Sequence, residues 1–151
     1  MNVTRALYPL AKLYWKIFRP KTFGVKVVLL HPENKHHILL IQHTYGSSFL
    51  WNLPGGGYNP RKETPESASA REVREELGIA VNNLKKIGEY KNDTEGKRDT
   101  VLIFTATAVG TDITINNEVQ NYKWCDHKEL IGTHLNTVAR VALSLIKQKE
   151  L

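Results

Sequence analysis

The sequence predicts an α/β fold of the α+β type, in which a mixed β-sheet is packed between helices. Short runs of β-branched and aliphatic residues, typical of strands, recur along the 151-residue chain. A helix that ends at a glycine separates the earlier strands from the later ones. An amphipathic helix then closes the chain. We divide the chain into an N-terminal helical segment, residues 1–21, and one folded domain, residues 22–151.

The first element is a basic amphipathic helix predicted over Tyr8–Phe18, with Pro9 in its first turn and Pro20 ending the pattern. Six apolar side chains share one arc, and four basic ones lie opposite: Leu7, Leu10, Ala11, Tyr14, Ile17 and Phe18 against Arg5, Lys12, Lys16 and Arg19. We expect this helix to dock on the domain, or on a second subunit in a homodimer. Contact of residues 1–19 with an anionic membrane surface and a cleaved targeting segment are the alternatives.

The net charge of +6 is confined to one part of the chain. Residues 1–32 hold six basic residues and no acidic one, and the remaining residues balance to zero. This distribution argues against a nucleic-acid-binding surface. The single cysteine, Cys125, excludes an internal disulfide bond and fits a reducing compartment, so we expect a cytoplasmic protein with a buried, inert thiol.

The first two strands are predicted at Val25–Leu30 and Ile38–Gln42, joined by a turn into a hairpin. Three histidines lie at the edges of this hairpin: His36, His37 and His43. We expect them on the surface, because no carboxylate or cysteine accompanies them at the spacing of a metal site.

Phe49–Leu53 is predicted as a short strand that leads to three consecutive glycines, Gly55, Gly56 and Gly57. Glycines allow the backbone to approach a ligand or a metal closely. Packing in the core or beside a cleft is the favoured explanation of Trp51, and stacking on a base is the weaker alternative for four aromatic residues near this stretch: Tyr45, Phe49, Trp51 and Tyr58.

The second half of the chain repeats strand patterns before the closing helix. We predict strands at Leu84–Tyr90, Val101–Val109 and Tyr122–Cys125, a polar hairpin tip at Lys91–Arg98, a short extended piece at Asp112–Ile115, a short helix at His127–Ile131 capped by Asp126, and an amphipathic helix at Leu135–Lys147. The run that begins at Val101 is apolar on both faces, as expected of a central strand.

The central helix carries the most informative pattern. Thr64 is a suitable N-cap, Pro65 suits the first helical position, and Gly78 suits the C-terminal end. Glu72, Glu75 and Glu76 have i, i+3, i+4 spacing, so their carboxylates share one face and repel one another. A hard divalent cation such as Mg²⁺ or Mn²⁺ would relieve this repulsion.

Taken alone, a charged helix that ends in glycine is more often a solvent-exposed surface. Here the spacing is more specific: Gly57 is followed after five residues by Glu63 and after seven more by Arg71-Glu72-Val73-Arg74-Glu75-Glu76-Leu77-Gly78-Ile79. This stretch, residues 57–79, resembles the Nudix box, with every specified position filled. Lys62 stands where many family members have glycine. The resemblance extends over residues 22–147.

The resemblance implies the α/β/α sandwich of the Nudix fold and a role for each matching residue. Glu72 and Glu76 are the implied metal ligands, and Glu75 shares in ligation or acts as the general base. Gly56 would offer its carbonyl oxygen to the metal. Arg71 would orient a carboxylate, with Glu63 holding Arg71 or binding an outer metal. Glu118, six residues before Trp124, is a candidate extra ligand or base.

The implied activity is metal-dependent hydrolysis of a phosphoanhydride bond, in a nucleoside diphosphate linked to another moiety. A nucleotide sugar such as ADP-ribose and a nucleoside triphosphate both satisfy this description, as do dinucleoside polyphosphates and triphosphorylated RNA. The substrate is therefore expected to be a small nucleotide whose identity the box leaves open. The alternative is a Nudix module that binds a nucleotide without catalysis, and the intact set of carboxylates argues against it.

Overall fold

The computed structural model describes residues 3–93, 98–130 and 132–149. The helices and strands, in chain order, are α1 (Val3–Phe18), β1 (Lys21–Leu30), β2 (His37–His43), α2 (Pro65–Leu77), β3 (Val81–Asn92), β4 (Arg98–Ala108), β5 (Val119–Asp126) and α3 (Thr137–Lys149). Three predicted features fall outside the described part of the chain: the side chain of Arg5, residues 94–97 of the polar hairpin tip, and Ile131.

The five strands form one mixed sheet in the order β3-β4-β1-β2-β5. The central pair, β1 and β4, is parallel and in register from Lys21 opposite Arg98 to Leu30 opposite Thr107. The other three pairs are antiparallel, including the predicted hairpin of β1 and β2. The mixed sheet predicted from the sequence is therefore confirmed.

Both faces of the sheet are covered by a helix. Alternate residues of β1 point to opposite faces, so Val27 packs in the cluster that includes Val73 of α2, while Val28 packs in the cluster that includes Ala139 of α3. Full burial of an aliphatic side chain of this size stabilises a fold by about 1.5–3 kcal/mol. The layers form the expected α/β/α sandwich, which fixes α2 against one face of the sheet.

Helix α2 begins and ends at the residues that the sequence indicates. The Thr64 hydroxyl accepts a hydrogen bond from the Ser67 N–H at 3.1 Å. At the other end Gly78 adopts a left-handed conformation, with φ 70°, and its N–H donates to the Arg74 carbonyl at 2.9 Å. The helix buries its apolar side on the sheet through Ala68, Val73 and Leu77.

Two local predictions are wrong. Phe49–Leu53 is not a strand, because Trp51 and Asn52 bridge to different partners, Leu135 and Ile41. The predicted short extended piece, residues 112–115, lies outside the helices and strands. After β5 the chain makes a turn in which the Asp126 carboxylate accepts the Lys128 N–H at 2.8 Å, and no helix follows over the described residues 127–130.

Helix α1 differs from its prediction in extent and in the face it buries. It begins at Val3, so Pro9 lies inside the helix rather than in its first turn. Tyr8, Ala11 and Trp15 are half-buried, whereas the larger apolar side chains of the predicted docking face are 52–65% exposed. The helix therefore contacts the domain along a narrow edge. Within the described part of the chain, no helix combines the length and apolar character needed to cross a membrane.

Replacing Gly78 with alanine should lower the free energy of unfolding by about 1–2 kcal/mol, because a side chain is disfavoured at positive φ. A Cβ atom there would also lie 3.2 Å from the Thr114 Cβ. Gly110→Ala is the matched control, since Gly110 has φ 90° and an added Cβ atom would meet no heavy atom within 4 Å. Urea unfolding of both variants measures the difference. If Gly78→Ala lowers the free energy of unfolding no more than Gly110→Ala does, crowding against Thr114 makes no contribution at residue 78.

Candidate active site

A cleft of about 870 Å³ opens where α2 faces the glycine loop, defined here as residues 54–57. Strand β1 holds this loop through backbone hydrogen bonds. The N–H of Val25 donates to the Gly56 carbonyl and that of Val27 donates to the Pro54 carbonyl, each at 2.9 Å. The loop is thereby fixed to the centre of the sheet, opposite the carboxylates of α2.

A side chain is excluded at one position of the glycine loop, and at a second it would displace the Glu72 carboxylate. Gly55 has φ 132°, and a Cβ atom there would overlap the carbonyl oxygen of Val25. At Gly56 a Cβ atom would lie 2.6 Å from Oε2 of Glu72. Glycine at residue 56 therefore allows the Glu72 carboxylate to lie directly against the loop backbone.

Glu76 is the most deeply buried of the clustered carboxylates, with 2% of its surface exposed. Its Oε2 accepts the N–H of Gly55 at 2.8 Å, which joins α2 to the glycine loop. Burial raises the pKa of the Glu76 carboxyl, while the charge of Lys26 and the Gly55 hydrogen bond oppose that rise. Burial likewise raises the pKa of Glu72, against the opposing effect of Arg71.

The Lys26 ammonium is buried among these acidic groups, although part of its side chain is exposed. It donates hydrogen bonds to the carbonyl oxygens of Leu53 at 3.0 Å and Gly55 at 2.8 Å. Burial lowers the pKa of Lys26, and the charges of Glu76 and Glu72 act in the opposite direction. Lys26 is absent from the site residues predicted above, because its only signal in the sequence is a lysine inside an otherwise aliphatic strand.

Arg71 connects three carboxylates on the outer side of the cleft. Its Nε and Nη2 bind the two oxygens of Glu63 at 3.1 and 2.8 Å. Its Nη1 contacts Glu72 at 2.7 Å and Glu75 at 3.2 Å. The hydrogen bonds from Arg71 lower the pKa of Glu63, and the same pairing raises the pKa of Arg71. This arrangement keeps the carboxylates in fixed positions despite their mutual repulsion.

The predicted site residues fall into two groups. Gly56, Glu72, Glu76 and Glu118 line the cleft. Glu63 and Glu75 lie outside its lining and contact Arg71, with the Glu75 side chain 54% exposed. Glu118 is held beside the end of β2, where its carbonyl oxygen accepts the Thr44 N–H at 2.9 Å.

The donor atoms at the cleft suit a hard divalent cation. Carboxylate and carbonyl oxygens are the ligands that Mg²⁺ and Mn²⁺ prefer, and the Glu72 carboxylate lies against the backbone of Gly56, whose carbonyl oxygen accepts the Val25 N–H. The Lys26 ammonium already places a cation against a glycine-loop carbonyl. Among the described residues, no three acidic, histidine or cysteine side chains are close enough together to hold one ion. Arg71 and Lys26 instead balance the negative charge.

His43 is buried beside Glu76, so the expectation of a surface histidine is wrong for this residue. Its Nδ1 lies 3.9 Å from Oε1 of Glu76 and has no hydrogen-bond partner among the described residues. Burial, with a smaller contribution from Lys26, lowers the pKa of His43 to about 4. The imidazole is therefore neutral at pH 7, and its contact with Glu76 is not an ion pair.

Aromatic rings line the cleft beyond the carboxylates. Tyr45 stacks on His43 with ring centroids 4.9 Å apart, Tyr8 lies 5.8 Å from Tyr45, and Trp15 lies 6.2 Å from Tyr8. Burial raises the pKa of Tyr45, so its hydroxyl keeps its proton at neutral pH. Tyr8 and Trp15 belong to α1, and the sequence pattern gave no reason to place them at the cleft.

The four aromatic candidates from the sequence divide between two locations. Tyr45 and Tyr58 line the cleft. Phe49 is largely exposed, and Trp51 lies beneath Lys123, with the ammonium 4.3 Å from the ring centroid; neither lines the cleft. Only the first pair can therefore contact a molecule bound against Glu72 and Glu76.

Comparison with known proteins gives a consistent assignment. A sequence model of the NUDIX domain matches residues 20–146. The nucleoside triphosphatase NudI of Klebsiella pneumoniae strain 342 is 33% identical over 126 residues, which are 74% of this chain and 89% of that protein.

Two solved structures share the fold. The NUDIX domain of Shewanella oneidensis NrtR, complexed with ADP ribose, superposes with a TM-score of 0.75 at 19% identity and covers 90% of this chain and 92% of that chain. A MutT NUDIX hydrolase from Burkholderia pseudomallei gives a TM-score of 0.73 at 23% identity, covering 83% of this chain and 98% of that chain.

The burial of His43 predicts a pH dependence of stability. Between its ordinary pKa of 6.5 and its folded value of about 4, the unfolded chain binds a proton that the folded chain excludes. Stability should therefore decrease as the pH falls through this window, by at most about 3 kcal/mol from His43. Urea unfolding between pH 7.5 and pH 4.5 measures the decrease.

His43→Asn is the comparison variant, because asparagine keeps a polar side chain and does not titrate. The raised pKa of Glu76 gives the opposite dependence in both proteins, so the difference in slope isolates His43. The variant should lose less stability than the wild type as the pH falls. Parallel curves for the two proteins would rule out the assigned protonation state.

Proposed function

Because this chain belongs to the Nudix family, we propose that it is a hydrolase that cleaves a phosphoanhydride bond of a nucleoside triphosphate with the help of Mg²⁺ or Mn²⁺. The observation that carries this proposal is the placement of Glu72 and Glu76 against the glycine loop in one cleft. These two carboxylates and the Gly56 carbonyl would hold the cation, while Glu75 lies outside the cleft lining and contacts Arg71. A bound divalent cation neutralises phosphate oxygens and lowers the pKa of water.

The protein groups around the carboxylates have separate tasks in this proposal. Arg71 holds Glu72 and Glu63 in position through charge-assisted hydrogen bonds. Lys26 keeps the glycine loop in place and supplies positive charge near the phosphates. Glu118 lines the cleft and is our candidate to accept the proton of the attacking water. The oxygen of that water forms a bond to phosphorus. The bond between this phosphorus and the bridging oxygen breaks, and the bridging oxygen leaves with the departing phosphate group.

Two features support a nucleotide as the substrate. Basic side chains line the cleft near the carboxylates, namely Lys21, Lys26 and Arg61, and they suit a polyphosphate. Aromatic rings from Tyr8, Trp15 and Tyr45 lie farther along and suit a nucleobase. The naming of the Klebsiella relative as a nucleoside triphosphatase favours a triphosphate. ADP-ribose is the second candidate, because it is the ligand of the Shewanella domain.

A panel of nucleotides tests the activity. Purified protein is incubated with each nucleoside triphosphate and with ADP-ribose, in Mg²⁺ or Mn²⁺, and the released phosphate or pyrophosphate is measured. We expect turnover of at least one triphosphate and its loss when the cations are chelated. Nucleotide binding without hydrolysis of any compound would instead indicate a non-catalytic module.

Within that assay, Glu76→Gln should lower kcat by about 100-fold or more, because the variant loses the charge that would bind the cation. The glutamine oxygen can still accept the Gly55 N–H, so the fold should persist, as circular dichroism would show. Glu66→Gln is the control: it removes an exposed carboxylate from the same helix, outside the cleft lining. Equal rates for the two variants would reject the role of Glu76.

Trp15→Ala should raise KM for the preferred nucleotide by about fivefold or more, since stacking of a base on an aromatic ring contributes about 1–3 kcal/mol. The chemical step should change little, because Trp15 is separated from the carboxylates by other rings. Leu13→Ala removes an exposed side chain from the same helix and serves as the control. A KM unchanged by Trp15→Ala would exclude stacking on this residue.

A further inference from the structure

Helix α1 presents a large apolar surface that the domain leaves uncovered. Six side chains on it, which we call the free face, are each more than half exposed: Leu7, Leu10, Leu13, Tyr14, Ile17 and Phe18. Tyr14 and Phe18 are packed together, with ring centroids 4.8 Å apart. Soluble proteins rarely expose a contiguous apolar patch of this kind without a binding partner. We therefore expect the free face to bind another molecule or a surface.

The geometry of a helix explains why docking leaves this surface open. At about 100° per residue, Leu10, Leu13 and Ile17 lie within one narrow arc, and Tyr8 and Trp15, which line the cleft, lie on the opposite side of the helix. Lys12 and Lys16 lie between them, on one flank of the helix. Because the domain holds α1 by the side opposite this arc, both the free face and the lysines remain exposed.

The positive charge of this segment decides between two binding partners, a second copy of this chain and an anionic surface. The first 32 residues contain no acidic residue, and exposed basic side chains of Lys12, Lys16, Arg19 and Lys21 accompany the free face. A second copy of this chain would bring the same positive segment against itself. An anionic surface would complement it, and each basic residue near such a surface favours binding by about fivefold.

We propose that α1 binds the surface of an anionic lipid bilayer, with the free face in the boundary between headgroups and acyl chains. A helix with apolar residues on one face and lysine and arginine on the other lies in the plane of such a surface. The diameter of a helix with its side chains, about 10–12 Å, is close to the Debye length of about 8–10 Å at moderate salt. The lysines on the flank of the helix are therefore close enough to be attracted by the charge of the headgroups.

Flotation of the whole 151-residue protein with lipid vesicles tests this proposal. One set of vesicles contains phosphatidylcholine alone, and the other contains about 30 mol% phosphatidylglycerol as the anionic component. The wild type should float with the anionic vesicles and at least about tenfold less with the neutral ones. Raising the salt concentration from about 0.05 to about 0.5 M should release the protein, because screening weakens the attraction.

Two variants separate the contributions of the free face and of the basic residues. Leu10→Glu combined with Ile17→Glu should reduce flotation by about tenfold or more, since it places two charges in the apolar boundary. Phe49→Glu combined with Val109→Glu is matched in charge, alters exposed apolar side chains elsewhere, and should change flotation by less than about threefold. Lys16→Gln combined with Arg19→Gln should weaken binding to the anionic vesicles about fivefold for each charge removed.

Folding of each variant is checked by circular dichroism and by nucleotide hydrolysis without vesicles, since the free face lies outside the cleft. If the Leu10→Glu, Ile17→Glu variant fails to fold, the dependence of wild-type flotation on salt and on lipid charge tests the proposal. Equal flotation with neutral and anionic vesicles, or none with either, overturns the proposal. The proposal is also overturned if the wild type does not bind anionic vesicles and instead forms a dimer that the Leu10→Glu, Ile17→Glu variant dissociates.

Discussion

Mutual repulsion among clustered carboxylates is the constraint on which the rest of this structure depends. Glu72, Glu75 and Glu76 follow one another on a single face of α2, and two of them are mostly buried. Like charges at this spacing destabilise a helix, and burial of a charge adds a further cost. Arg71 on one side and Lys26 on the other supply the compensating charges. The acidic cluster can therefore persist within a stable fold.

The sheet determines where these compensating groups lie. The same strand, β1, carries Lys26 and holds the glycine loop by backbone hydrogen bonds, while its neighbouring residues form the core beneath α2. Val73 and Leu77 anchor α2 to that core, and the neighbouring Glu72 and Glu76 lie at the helix edge beside the loop. The cleft is consequently bounded by the central strand and by a helix anchored in the core, which suits a site where small displacements of a ligand are costly to catalysis.

Features encoded by neighbouring residues could be predicted from the sequence. The caps of α2 depend on Thr64 and Gly78 alone, and the mixed sheet follows from strand-like runs around a recognisable box. Lys26, His43 and Trp15 could not be predicted, because each reaches the cleft through contacts between residues far apart in the chain. The free face was also misjudged. Periodicity shows that a helix has an apolar side but does not reveal whether the domain covers that side.

The contribution of α1 to the cleft has a consequence for how this chain is compared with its relatives. Tyr8 and Trp15 precede the matched domain, which begins at residue 20, yet they line the space beside the carboxylates. Under the proposed function, exchange of this short leading segment would change which nucleotide binds while the carboxylate cluster stays unchanged. Transfer of a substrate assignment from a relative is therefore safest when the leading segments also align, and a recombinant version trimmed to the matched domain would lack two of the rings that line the cleft.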